Sequence, residues 1–180
     1  MGESVKEILF VTGGCRSGKS SFALNYANEH FSKKVYLATS LALDDEMKER
    51  IQRHQEQRGS DWITAEESKN VSQAASSLSE DIEVILLDCI TMWISNLLLE
   101  GQGQERIFQE IESLIETIKK APQSIITVSN EVGSGVVPDN TISRMFRDIV
   151  GIANQRIVAC SDTVVLTVAG LSNVIKGRLR

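Results

Sequence analysis

A glycine-rich octapeptide near the start of the chain has the residue types and spacing that bind a phosphate chain. It matches the pattern GxxxxGK[ST] at every defined position. Its members are Gly13, Gly14, Cys15, Arg16, Ser17, Gly18, Lys19 and Ser20. Small residues let the backbone curl so that its N–H groups face phosphate oxygens, and a following helix adds the positive end of its dipole. The segment therefore predicts a nucleoside triphosphate site, the alternative being a glycine-rich turn that holds no ligand.

Two side chains of this pattern have assigned chemistry. Lys19 is expected to reach the β- and γ-phosphates and Ser20 to ligate Mg²⁺. We expect Lys19 to be a charge on an exposed loop, so that its replacement leaves stability almost unchanged. A second metal-holding group is predicted at Asp88, which ends the aliphatic run 84–87 as strand-end carboxylates of such sites do. Alone, Asp88 is equally well explained as a turn or capping residue; beside the phosphate-binding loop, the metal role is favoured.

The elements that must position these residues alternate along the chain. Five aliphatic runs are predicted as buried strands: 8–11, 35–38, 84–87, 125–128 and 164–168. Six segments of helical period are predicted as helices: 20–31, 45–58, 70–79, 92–99, 104–119 and 141–159. Residues 62–65 and 173–176 are predicted as short additional strands. This order predicts an α/β fold, a P-loop NTPase fold of the RecA-like type, with a mostly parallel sheet, helices on both faces and one domain over 1–180.

Composition narrows the class of protein. The 180 residues carry a net charge of −5, which gives no general basic surface for nucleic acid or anionic membrane. Three cysteines without a CxxC pair argue against a disulfide framework or a zinc site and favour a reducing, cytoplasmic location. No apolar run is long enough to predict a signal peptide or a membrane span.

Two motifs that would narrow the function are missing from the sequence. There is no NKxD guanine-reading motif and no LSGGQ segment, so a Ras-like switch and an ABC transporter module are both disfavoured. Reasoning from the residues alone stops at a small-molecule kinase or nucleotidyltransferase.

Longer segments, collinear over nearly the whole chain, resemble one enzyme family. They are VTGGCRSGKSSFA (11–23), YLATS (36–40), LDDEMKERIQRHQEQR (43–58), WxTxE (62–66), LLDCITMWISNLL (86–98), SNEVGSGVVP (129–138) and FRDIVGIANQRIVACSDTVVL (146–166). The chain is similar to the bifunctional adenosylcobinamide kinases / adenosylcobinamide-phosphate guanylyltransferases of cobalamin biosynthesis. The phosphate-binding loop is generic, whereas the NEVGxGxVP stretch and the segment bearing His54 are much more specific.

The resemblance implies two reactions. The first phosphorylates the aminopropanol hydroxyl of adenosylcobinamide with ATP or GTP, and the second transfers GMP from GTP to that phosphate, with Mg²⁺ as cofactor. It also implies a histidine that carries GMP between the two substrates, and a homotrimer whose nucleotide site lies near a subunit boundary. Two departures stand out: Cys15 occupies a position that is often Ala in the family, and Arg53 precedes His54, leaving one histidine there to act as nucleophile.

His54 is the residue to which the resemblance assigns the GMP carrier. In the predicted helix 45–58 it follows Met47 and Ile51 at helical spacing, so it shares a side with apolar residues. Neutral imidazole is nucleophilic near pH 7. Taken alone, a single histidine is better explained by packing or capping, and the family likeness reverses this preference in favour of the catalytic role. His30, at a predicted helix end, is assigned no chemistry.

Further contacts with the guanine nucleotide follow from the resemblance only. They are expected at Ala38, Thr39, Ser40, Gln55, Glu56, Gln57, Arg58 and Glu66. The simpler explanations are a strand-end turn, an exposed helix end and a surface acid. Asn130 and Glu131 are expected to face substrate, and Gly133 and Gly135 to make their loop bendable. Trp62, Trp93 and the region of Met92 are predicted to belong to the core.

Two rival functions remain at this stage. A single-reaction small-molecule kinase would use Lys19, Ser20 and Asp88 and leave His54 without a task. A nucleotide-gated regulatory module would bind nucleotide without corrinoid-dependent turnover. The sequence leaves open whether ATP or GTP is the phosphoryl donor.

Overall fold

The computed structural model of this chain describes residues 6–41, 45, 49, 59 and 61–180. Its strands are β1 (Ile8–Gly13), β2 (Lys34–Ala38), β3 (Trp62–Glu66), β4 (Val84–Asp88), β5 (Ser124–Asn130), β6 (Thr163–Val168) and β7 (Leu171–Lys176). They form one sheet in the order β3-β2-β4-β5-β1-β6-β7. The first six strands run parallel and β7 runs antiparallel to β6.

Helices cover both faces of this sheet. They are α1 (Lys19–His30), α2 (Val71–Ser76), α3 (Ile90–Leu99), α4 (Gln104–Lys120) and α5 (Thr141–Cys160). On one face α1 packs with alternate residues of the central strands, and on the other face lie the apolar sides of α2 to α5. The helices lie against the sheet because each has one apolar side. In α4 this side consists of residues at helical spacing that are all buried: Ile107, Ile111, Leu114, Ile115 and Ile118.

The predicted architecture is confirmed, with differences at element ends. Every predicted strand is present, and β1 extends into the glycine motif as far as Gly13. The helix predicted over 70–79 is shorter, Val71–Ser76, and the one predicted over 92–99 begins two residues earlier, at Ile90. Trp62 and Trp93 are buried, as predicted for core residues. The helix predicted over 45–58 lies outside the described residues, apart from Asp45 and Glu49.

The strand register brings the ends of the parallel strands to one edge. Gly13 pairs with Asn130 on one side and with Thr167 on the other. Ala38 pairs with Asp88 and with Glu66. Because ligands of open α/β sheets bind outside the carboxyl ends of the strands, this edge is where a site is expected.

In the part of the chain that the structure describes, no helix combines the length and the apolar character needed to cross a membrane.

Candidate nucleotide site

The phosphate-binding loop connects the last residue of β1 to the first residue of α1. Its backbone enters the left-handed region twice, at Arg16 (φ 53°) and at Gly18 (φ 97°). A Cβ on Gly13 would stand 2.4 Å from the carbonyl oxygen of Thr167 and 2.5 Å from Ser17 Oγ, whereas one on Gly14 would meet nothing within 4 Å. The two glycines that the motif defines, Gly13 and Gly18, are therefore the two that this backbone requires.

Lys19 is buried, with 7% of its surface exposed, so the expectation of an exposed loop charge is wrong. It is the first residue of α1, and its side chain folds back over the loop so that Nζ donates to the carbonyl oxygen of Gly14 over 3.0 Å. The physical reason is the tight curl of the loop, which places a backbone acceptor within reach of the ammonium group. The lysine is thus already held over the loop that is predicted to bind phosphate.

The end of β6 and the turn that joins it to β7 are hydrogen-bonded to the phosphate-binding loop. Ser17 Oγ and Thr167 Oγ1 are 2.7 Å apart in a buried hydrogen bond, and Gly170 N donates to Ser17 O over 2.9 Å. Ala169 and Gly170 both have positive φ, as a tight two-residue hairpin turn requires. Thr167 and Gly170 cannot be predicted from a local motif, because only the β1–β6 register brings them to the loop.

Asp88 ends β4 on the sheet face that α1 covers. The side chain is 9% exposed, and Tyr36 Oη donates to its Oδ2 over 2.9 Å. Ser20 lies in the first turn of the same helix. A hydroxyl and a carboxylate are the oxygen donors that Mg²⁺ prefers beside phosphate oxygens and water. These two residues therefore fit the predicted metal role.

A buried polar network fixes the turn after β2. Thr39 Oγ1 accepts from Cys89 N over 2.8 Å and donates to Cys89 O over 2.9 Å, while Asn96 Nδ2 donates to Thr39 O over 2.8 Å. Thr39, one of the predicted nucleotide contacts, is thus held through its side chain by Cys89, the residue between β4 and α3, and through its backbone carbonyl by α3. The pKa of the Cys89 thiol is raised to about 11. Burial is the larger cause, and the nearby negative charge of Asp88 is the second.

The other predicted contacts of this edge lie around that turn. Ala38 and Ser40 are half-buried on either side of Thr39, and Glu66 is exposed at the end of β3, in register with Ala38. Glu67 N donates to Ala38 O, which joins the two strand ends. Ala38, Ser40 and Glu66 therefore form one open corner of the carboxyl edge.

Asn130 and Glu131 lead out of β5 directly beside the phosphate-binding loop, because Glu131 N donates to Gly13 O over 3.0 Å. Their side chains are used locally: Asn130 Nδ2 donates to Thr91 Oγ1 over 2.8 Å, and Glu131 Oε1 accepts from Gly133 N. These bonds shape the loop that follows.

His54 and the predicted contacts Gln55, Glu56, Gln57 and Arg58 lie outside the described residues. His30, to which no chemistry was assigned, is the last residue of α1, and its ring centre lies 4.4 Å from that of Tyr26.

A mostly parallel sheet, a phosphate-binding loop after β1 and a carboxylate at the end of β4 together define a P-loop nucleoside triphosphatase fold. Solved structures with this fold are similar to the chain. The RadB recombinase superposes with a TM-score of 0.54 at 14% identity, covering 97% of this chain and 82% of its own. A prototypical ATPase from the type III secretion system of pathogenic bacteria gives 0.56 at 15% identity, covering 93% and 57%. At such identities the likeness shows the RecA-like fold alone.

The sequence of the chain is much more similar to the members of one enzyme family than to these solved structures. The chain belongs to the cobinamide kinase / cobinamide phosphate guanyltransferase family, whose model matches residues 9–175. Three relatives, named bifunctional adenosylcobalamin biosynthesis proteins, come from Escherichia coli, Salmonella typhimurium and Pseudomonas aeruginosa. They are 37%, 40% and 41% identical over 94%, 94% and 93% of this chain and 99%, 99% and 96% of their own. The chain is therefore a transferase of cobalamin biosynthesis with kinase and guanyltransferase activities.

Proposed function

We propose that the 180 residues act as one domain that phosphorylates adenosylcobinamide and then transfers GMP to the new phosphate. The single observation that carries this is the phosphate-binding loop at the carboxyl edge, with Lys19 hydrogen-bonded to it and Asp88 at the end of β4 on the same edge, in a chain of this family. The product is adenosylcobinamide-GDP.

In the kinase reaction, the protein positions the triphosphate and offsets its negative charge. Loop N–H groups bind the triphosphate, and Lys19 exchanges the Gly14 carbonyl for a β- or γ-phosphate oxygen. Ser20 and Asp88 would hold Mg²⁺, whose charge offsets that of the phosphate oxygens. The acceptor hydroxyl forms a bond to the γ-phosphorus as the bond to the β-bridging oxygen breaks, and the hydroxyl proton is released.

The guanylyl half uses His54 as a carrier. An imidazole nitrogen attacks the α-phosphorus of GTP and pyrophosphate leaves; a phosphate oxygen of the corrinoid then attacks that phosphorus and the histidine leaves. The family resemblance and the position of His54 on the apolar stripe of a predicted helix support this role. The guanine base is proposed to lie at the corner formed by Ala38, Ser40 and Glu66.

We assign the corrinoid acceptor to the segment 131–142, which begins beside the phosphate-binding loop. Val136 is 93% exposed, and Val137 and Ile142 are also exposed, so the segment offers apolar surface next to the nucleotide. A corrin ring is large enough to cover it. Changing Val136 and Val137 to Ser should raise KM for adenosylcobinamide and leave GTP affinity unchanged, whereas Leu99→Ser, at the far end of α3, should change neither.

Assembly as a homotrimer is part of the proposal, and β7 supports it. This edge strand is exposed throughout, and it carries two exposed apolar side chains, Leu171 and Ile175. Light scattering at micromolar concentration should find a trimer, and changing both residues to Lys should shift it toward monomer. A wild-type monomer would refute this part. A cytoplasmic location is proposed because all three cysteines are free thiols.

The decisive experiment is incubation with adenosylcobinamide, GTP and Mg²⁺, followed by mass analysis of the corrinoid. Adenosylcobinamide-GDP is expected. Accumulation of adenosylcobinamide phosphate without adenosylcobinamide-GDP would support a single-activity kinase instead. Recovery of unmodified corrinoid from folded enzyme would refute both the bifunctional enzyme and the single-activity kinase.

A further inference from the structure

The hydroxyl of Tyr36 is in contact with the carboxylate that is proposed to hold the metal. Tyr36 Oη donates to Asp88 Oδ2 over 2.9 Å, and the tyrosine is 5% exposed. Tyr36 pairs with Leu86 and Ala38 with Asp88 in the parallel register of β2 and β4. Since side chains two residues apart on a strand share a face, the tyrosine and the carboxylate both lie on the α1 side of the sheet.

The ring that carries this hydroxyl is itself fixed. It meets the ring of Trp62 edge to face, with centroids 6.1 Å apart and planes at 81°. Trp62 Nε1 in turn donates to Asn28 Oδ1 on α1 over 3.0 Å. A tyrosine has two side-chain torsions, and burial between β2, β3 and α1 leaves little freedom for either, so Oη has a defined position against Asp88.

We propose that Tyr36 is a positioning residue for the metal site. Its hydroxyl fixes the orientation of the Asp88 carboxylate through Oδ2, and this carboxylate would help to hold Mg²⁺ when the metal is bound. Groups that hydrogen-bond a metal-holding side chain in this way typically change metal affinity or activity 10- to 100-fold when they are removed. The inference rests on the proposed metal role of Asp88 and Ser20.

The test is Tyr36→Phe, which removes the hydroxyl and keeps the ring against Trp62. GTP binding is measured by calorimetry with and without Mg²⁺, and turnover is measured across Mg²⁺ concentrations. The Mg²⁺ concentration for half-maximal binding and turnover should rise about 10-fold, while metal-free GTP binding should stay at the wild-type level.

Tyr26→Phe is the matched control. Tyr26 is equally buried at 5%, and its hydroxyl donates to Glu7, just before β1 and so at the opposite edge of the sheet. The same atom is lost from a buried hydrogen bond, so a general stability effect should appear in both variants. The shift in Mg²⁺ dependence should appear in Tyr36→Phe alone.

A double variant separates positioning through Asp88 from an independent effect. In an Asp88→Asn background, Tyr36→Phe should add no further change in Mg²⁺ dependence; a full additional 10-fold change would overturn the proposal. A Tyr36→Phe enzyme with wild-type Mg²⁺ dependence would also overturn it, even if less stable. If wild-type GTP binding proved independent of Mg²⁺, the metal site itself would be wrong, which is a different result.

Discussion

The glycine at the end of β1 allows the structure of the phosphate-binding loop to be tested apart from its chemistry. In Gly13→Ala the new Cβ would stand 2.4 Å from both the carbonyl oxygen and Oγ1 of Thr167, below the 3.0 Å that real Cβ contacts respect. One of these atoms is backbone, so the strands β1 and β6 must move apart. Overpacking of this kind costs about 1–3 kcal/mol, and loss of the Ser17–Thr167 hydrogen bond adds about 1 kcal/mol.

The expected destabilisation of about 2–4 kcal/mol lowers Tm by about 5–15 °C in a chain of this size. Thermal unfolding without nucleotide measures this, and calorimetry should show that GTP binding is also lost, because the loop is displaced. Gly14→Ala is the matched control: its Cβ meets nothing within 4 Å and the residue does not have positive φ. Its Tm should stay close to wild type. Equal Tm values for the two variants would refute the proposed close approach of β1 and β6.

Three further predictions concern single side chains. Lys19→Ala should lose GTP binding in calorimetry and, since the lysine is buried on its own loop, about 1 kcal/mol of stability; wild-type affinity would contradict the phosphate role. With GTP and Mg²⁺ but no corrinoid, the enzyme should gain an acid-labile, alkali-stable GMP adduct that keeps α-phosphate label, and this adduct should be absent in His54→Ala and present in His30→Ala. Alkylation at pH 8.5 should modify exposed Cys15 and spare Cys89, whose pKa of about 11 keeps the buried thiol protonated; GTP should protect Cys15, and equal labelling of both would contradict the structure.

The parts of the fold that depend on local pattern could be predicted from the sequence. Aliphatic runs and helical periodicity fix which residues are buried, and the glycine motif fixes the loop because only particular backbone angles fit it. The sequence also indicated Asp88, since a carboxylate directly after a buried run must stand at a strand end. The burial of Lys19 could not be predicted from the sequence, because it depends on how tightly the loop curls rather than on residue type.

The residues that support the site could not be predicted, because their roles come from register between distant strands. Thr167 is 150 residues from Ser17 in sequence, and Tyr36 is 52 residues from Asp88, yet each pair forms a buried hydrogen bond. A tyrosine within an aliphatic strand indicates only that its hydroxyl needs a partner. Which partner it finds depends on β2 lying beside β4 in a register that places Ala38 opposite Asp88. The groups proposed to bind phosphate can be predicted from a local motif. The group that holds the proposed metal ligand in place depends instead on strand order and register. Variants such as Tyr36→Phe therefore test a part of the site that no motif describes.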